Sequence, residues 1–163
     1  FCLSRGLGDV YKRQDLIIGK DHQSAVGTLV ERTTRFVVLL HLGAGKDAES
    51  VKEAMQKAIT TLPDQLVKTI TWDQGAEMGR HVDFTVETGI PIYFCDPHSP
   101  WQRGSNENTN GLLRQYMPKG TDLSIHSVED LEGIAKSLNN RPRKTLGYLK
   151  PSEKLAELLA TTP

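Results

Sequence analysis

Cysteine is scarce in this chain. Its 163 residues hold two, Cys2 and Cys95, so no disulfide framework is implied and the sequence reads as one that works in a reducing compartment. An excess of charge is missing too, because 20 basic residues balance 20 acidic ones. Bulk electrostatics therefore does not announce a nucleic-acid partner, and any basic surface has to be local. No apolar run approaches the ~20 residues that a membrane-crossing helix needs, and repeats and low-complexity tracts are absent. What remains, 37% hydrophobic and 25% charged residues, is the composition of a single globular domain with room for a proper core.

Residues 1–14 do not share the pattern of residues 15–163. They look like a translated sequencing adapter and are expected to be non-native and outside the fold, leaving 15–163 as the domain proper. They hold Arg5, Lys12, Arg13 and Asp9. Removing three of the 20 basic and one of the 20 acidic residues leaves 17 and 19, a formal charge of −2.

From Asp15 onward the chain alternates between strand and helix signals. Leu16-Ile17-Ile18, Ala25 to Arg32 and Arg35 to Leu42 are apolar runs separated by polar turn clusters, the pattern of an antiparallel meander. Asp47 stands where an N-cap belongs, and Val51, Ala54, Met55, Ala58, Ile59 and Leu62 recur at helical spacing until Pro63. Next come a strand ending at Asp73, a short polar helical stretch near Ala76 to His81, and a strand over Ile90 to Phe94 with Pro91 at its start or on an edge. Ser127 and Asp130 pair as a cap before Leu131, Ile134, Ala135 and Leu138, and that helix should stop at Asn139-Asn140. A last helix, from Ser152 to about Ala160, offers Leu155, Leu158 and Leu159 for packing. The order of elements predicts an α/β layered domain, a mixed sheet flanked by helices.

The chemistry concentrates between Asp96 and Gly120. A Pro-rich lead-in precedes a helical pattern in which Thr109, Leu112, Leu113 and Tyr116 form a buried stripe, ended by Pro118 and Gly120. Glu107, Asn110, Gly111 and Arg114 recur on the opposite face, so a carboxylate and a guanidinium stand two turns apart. Asn106 is the expected helix cap. Asp73, followed by Gly75, ends an apolar strand, the place where α/β sheets expose functional side chains. Asp15 opens the first apolar run. Carboxylates brought together repel one another and stay ionised by binding cations. Trp101 and His98 in the lead-in suit either DNA contact or packing. Cys95 and His98 have the spacing of half a zinc site, but no second pair matches it, so zinc is set aside.

The segments Asp15 to Lys20, Gly27 to Phe36, Thr71 to Met78, Tyr93 to Tyr116 and Asn139 to Tyr148 together resemble the catalytic core of bacterial insertion-sequence transposases. They are most similar to the insertion-sequence-thirty family, which shares the Asp-Asp-Glu core of retroviral integrases. The resemblance runs from about Asp15 to Pro151 in order and spacing, and Gln74 departs from the Asn often found there in the family. It implies a ribonuclease-H-like fold, three antiparallel strands plus two parallel ones, in which the first strand lies beside the strand ending at Asp73. It further implies that Asp15, Asp73 and Glu107 are the catalytic carboxylates and hold Mg²⁺ or Mn²⁺ as a pair of ions. These are hard cations suited to oxygen ligands and phosphate substrates.

Arg114 matches the basic residue that the family places seven positions after the glutamate. Arg103, Lys119, Arg141, Arg143 and Lys144 are further candidates for contact with DNA, and residues 139–150 contain no acid. The implied function is divalent-metal-dependent DNA strand cleavage and strand transfer on insertion-sequence ends and target DNA, by a homo-oligomer in the bacterial cytoplasm near the nucleoid. A helix-turn-helix region that relatives carry ahead of this core has no counterpart in 1–163. Two other readings stand against this: a catalytically silent, DNA-binding or self-associating fragment, and a nuclease acting on RNA–DNA hybrids.

Overall fold

A strand buried on both faces organises the domain in the computed structural model. The structure describes residues 2–3, 16–20, 23–43, 47–63, 67–72, 79–94 and 104–161, by backbone alone at 2–3 and 104–107. Among the described residues six strands form one sheet: β1 (Cys2–Leu3), β2 (Leu16–Ile18), β3 (Ala25–Val30), β4 (Val37–His41), β5 (Ile70–Trp72) and β6 (Ile92–Phe94). Five α-helices among these residues accompany them: α1 (Ala48–Thr60), α2 (His81–Thr88), α3 (Gly104–Leu113), α4 (Val128–Asn139) and α5 (Pro151–Thr161). Every residue of β3 is buried, and its pleat sends Ala25 and Leu29 into one core and Val26 into another.

The first core joins the sheet to α1, α2 and α5, with Leu16, Leu40, Val51, Met55, Ile70, Trp72 and Phe84 at its centre. Leu155, Leu158 and Leu159 of α5 pack against it, as their spacing predicts. The second core lies under α3 and α4 and buries Ile17, Leu113, Met117, Leu131 and Leu138. Asp47 caps α1 by accepting hydrogen bonds from the Glu49 and Ser50 amides, and Ser127 and Asp130 cap α4 reciprocally. Replacing Ser127 with Ala is expected to cost about 1 kcal/mol, read as a lower midpoint in urea with unchanged slope.

The expected meander is present: β2 and β4 each pair antiparallel with β3, and β5 and β6 pair parallel. Pro91 precedes β6, which is an outer strand of the sheet, so both positions open to it from sequence hold at once. Cys2–Leu3, in the segment expected outside the fold, is in the sheet, antiparallel to β3 at Val30 and Leu29 and parallel to β5 at Thr71. The neighbour of β5 is thus β1 rather than the Asp15 strand, because β2 is short and occupies only the rungs of β3 from Gly27 to Ala25.

Of the helical stretch expected near Ala76 to His81, the described part shows a helix that begins at His81. Residues 76–78 lie outside the described residues, Gly79 and Arg80 form a turn, and Phe84, buried in the first core, fixes the helix further along. Gly89, at φ 72°, ends it in the left-handed conformation that glycine tolerates best. No helix among the described residues is long and apolar enough to cross a membrane.

Candidate active site

Two strand ends and one helix carry the three acids singled out from sequence. Asp15 immediately precedes Leu16 of β2 and Asp73 immediately follows Trp72 of β5, but both lie outside the described residues, as do Cys95, His98, Trp101 and Arg103. Glu107 is on α3, with its backbone described and its side chain not. Among the described residues no three acids, histidines or cysteines gather as a metal cluster.

What the structure does fix is the frame around them. Leu16 and Trp72 both turn their side chains into the first core, whereas Ile17, the next residue of β2, turns into the second core under α3. Leu16 pairs with Gly27, and Leu3 pairs with Leu29. The rung between those two pairs belongs to Thr28, the single hydroxyl in an otherwise apolar strand, and it is fully buried. Its Oγ1 donates to Oδ1 of Asn110 on α3 at 3.5 Å, which ties the helix to that rung of the sheet.

Asn110 corrects the helix phase read from sequence. Placed there on the polar face with Glu107 and Arg114, it is 5% exposed and lies against β3, while Gly111 is exposed. The apolar stripe is therefore wider than Thr109, Leu112, Leu113 and Tyr116 alone, and includes Met117. The Nδ2 group of Asn110 is buried with no hydrogen-bond partner among the described residues, an unspent donor three residues from Glu107. A buried amide of this kind calls for an acceptor. The isolated Thr in β3 was the one sequence signal that a polar residue of α3 would face inward. Asn106 lies inside α3, which starts at Gly104, so it is not the cap.

Arg114 follows α3 directly, its amide continuing the helical bonding to the Asn110 carbonyl at 3.0 Å. Its guanidinium is half-buried, donates to the Met117 carbonyl at 3.4 Å and is pulled below its ordinary range by burial, while remaining a cation at any working pH. A rise of 1.5 Å per residue sets it roughly 10 Å along the axis from Glu107. Lys119 is exposed just beyond.

The basic stretch after α4 divides. Arg141 donates to Gln115 Oε1 at 3.0 Å and to the Tyr116 hydroxyl at 3.3 Å, and that hydroxyl also meets Ser137 Oγ at 2.8 Å. These bonds hold the loop beside the end of α3. Lys144 is exposed, and Lys150 pairs with Glu153 at 3.2 Å. Arg143, expected on the surface, is 9% exposed and donates to the Leu138 carbonyl at 3.3 Å. Burial first and Arg141 second lower its affinity for a proton. Its guanidinium shapes the loop from within, which takes it out of the exposed basic patch.

A groove of about 450 Å³ lies elsewhere, along β4 between α1 and α4, lined mainly by side chains such as Val38, Leu40, Ala58, Leu62 and Leu131. It offers no acids in the arrangement a phosphate-transfer site needs.

Comparison with known proteins agrees with this frame. Residues 8–100 match the model of the integrase core domain family. The transposase for insertion sequence element IS1086 of Cupriavidus metallidurans is 54% identical over 146 residues, which is 90% of this chain and 43% of that protein. Transposase InsI for insertion sequence element IS30C of Escherichia coli is 49% identical over 148 residues, 91% of this chain and 38% of that protein. The chain thus spans about two fifths of the length of the curated relatives it matches. Among solved structures, the catalytic core domain of BIV integrase superposes with a TM-score of 0.64 at 18% identity, covering 90% of this chain and 94% of that one. The fold is accordingly that of the retroviral integrase core, ribonuclease-H-like as the motifs implied.

Proposed function

The chain belongs to the integrase core domain family, and we propose that it is the catalytic core of a DNA transposase, cleaving and joining DNA strands with the help of divalent cations. Asp15, Asp73 and Glu107 are the catalytic carboxylates of this reading. The observation that carries it is the direction of their described neighbours. Leu16 and Trp72, the chain neighbours of Asp15 and Asp73, point into the first core, and Ile17 points into the second, which lies under α3, the helix that bears Glu107. Register supports the same reading. Leu16 pairs with Gly27 and Leu3 with Leu29, so the described ends of β2 and β1 flank Thr28, which is bonded to Asn110 of α3.

Three carboxylates form an all-oxygen donor set that fits Mg²⁺ or Mn²⁺, two ions being the arrangement suited to in-line displacement at phosphorus. The unspent Asn110 amide beside Thr28 supports the presence of an anionic group there. When bound, the cations supply Lewis-acid activation of the attacking oxygen and stabilisation of the leaving one. The protein's own part is placement: the carboxylates fix where the scissile phosphate sits, and Arg114, with Lys119, Arg103, Arg141 and Lys144, holds neighbouring phosphates in line. Water attacks phosphorus in the first step and the bond to the 3′ oxygen breaks. The freed 3′-hydroxyl then attacks a phosphate of a second strand, whose own bond to a 3′ oxygen breaks, that oxygen leaving as a hydroxyl, so one site serves both steps. Element ends and target DNA are the substrates, a homo-oligomer brings them together, and the nucleoid of a bacterial cytoplasm is where they meet.

Calorimetric titration with Mn²⁺ tests the site directly. The chain is expected to bind Mn²⁺, and Asp73→Asn to weaken binding by at least about tenfold with its circular dichroism unchanged. Equal binding by both proteins would overturn the assignment. Cleavage of an RNA–DNA hybrid without any joined DNA product would favour a hybrid-specific nuclease.

A further inference from the structure

The loop after α4 holds an aromatic side chain where packing gives no reason for one. Tyr148 is 70% exposed, yet its backbone sits at φ 67°, directly after Gly147 at φ 63°. Two successive left-handed residues are easy for glycine and unfavourable for a bulky aromatic, so such an outlier persists only where its surroundings impose it. Here they do. The Tyr148 amide donates to the Arg143 carbonyl at 2.9 Å, the Arg143 amide to the Leu149 carbonyl at 3.0 Å, and the Leu146 amide to the Arg143 carbonyl at 3.0 Å. The buried Arg143 guanidinium anchors this knot to the end of α4 through Leu138. The Arg141 bonds to Gln115 and Tyr116 fix it against the end of α3. A strained and rigid loop thus presents a phenol ring to solvent in the same stretch as Arg141 and Lys144, which holds no acid between 139 and 150.

We propose that Tyr148 is a stacking platform for an unpaired nucleobase of the DNA substrate. The flat ring supplies the face, the rigid loop avoids ordering cost on binding, and Lys144 meets the backbone phosphate alongside. A base that leaves its stack beside the end of α3 meets an aromatic partner there. The inference rests on DNA being the substrate, but makes a separate claim about which DNA and which residue.

A fork oligonucleotide with 2-aminopurine at its first unpaired position, compared with the fully paired duplex, tests it in the intact chain. The wild type and Tyr148→Phe are expected to quench the 2-aminopurine saturably. Tyr148→Ala should bind the fork about 5- to 100-fold more weakly with under twofold change on the duplex. Lys144→Gln should weaken fork and duplex alike and flatten the salt dependence of log K by roughly one unit. Tyr148→Gly relieves the backbone, so it should melt ~2–4 °C higher while losing the fork preference, which separates binding from folding. Equal fork binding by Tyr148→Ala and wild type would overturn the proposal and leave a protein contact as the use of the ring. Equal losses on fork and duplex would overturn it too, by making the residue a general DNA contact. Absence of any DNA binding by the wild type would overturn this claim together with the transposase reading.

Discussion

Replacing Glu107 with Gln is expected to lower DNA strand cleavage by at least about 10²–10³-fold, the scale seen when one electrostatic contributor to a phosphate- or acyl-transfer site is removed. The substitution keeps the length and one carbonyl oxygen of the side chain and deletes only the charge. The residues that attach α3 to the sheet are Thr109, Asn110 and Leu113, all buried, so the melting temperature should stay within about 2 °C of the wild type. Nicking of an element-end duplex in Mg²⁺ is the assay, and EDTA should reproduce the loss in the wild type. More than a tenth of the original rate in Glu107→Gln would remove Glu107 from the chemistry.

The largest expected loss of stability comes from a residue that touches no substrate. Asn139, the last residue of α4 and 4% exposed, accepts from the Val37 amide at 2.8 Å and donates to the Val37 carbonyl at 2.9 Å. Its amide behaves as one peptide unit of a further strand along the outer side of β4, which among the described residues otherwise pairs only with β3. Asn139→Ala leaves a buried donor and a buried acceptor without partners. At about 1–3 kcal/mol for each stranded group, the total is roughly 3 kcal/mol. For a domain of this size that is a melting point ~10 °C lower. Asn139→Asp keeps the acceptor for the Val37 amide but sets a carboxylate against the Val37 carbonyl, so it should be at least as damaging. A shift under 3 °C in both variants would show the pair to be dispensable.

Asn139 also shows what sequence reading reaches and what it does not. Local chemistry was legible: Asp47, Ser127 and Asp130 cap helices where their spacing to apolar stripes said they would, and Leu131, Ala135 and Leu138 are buried on the predicted face. Those signals depend on residues a few positions apart. Asn139 was read as a helix stop, which is correct and incomplete, because its partner Val37 is 102 residues away. Asn110 failed the same way. Helical phase assigns it to the polar side, but Thr28, 82 residues earlier, draws it inward.

Arg143 looked like a surface cation because composition reports charge and not direction. Its burial comes from the left-handed pair Gly147 and Tyr148, which folds the loop back over it. Of the acids, their order in the chain and their flanking apolar runs were plain from sequence. How β1, β2 and β5 register in the sheet was not plain, because the residues that pair lie far apart in the chain.

The antiparallel strands β2 to β4 and the parallel pair β5 and β6 meet, among the described residues, only across the two residues of β1. A few peptide hydrogen bonds are a weak weld between two ribbons. Their union comes instead from the greasy layer beneath, where Leu29 of one ribbon and Ile70 and Trp72 of the other share cover from Val51 and Met55. Breathing of the domain should therefore run along this seam before either ribbon frays. Leu16 and Trp72 stand on opposite banks of it, so a small parting of the ribbons changes the gap between these two side chains of the first core.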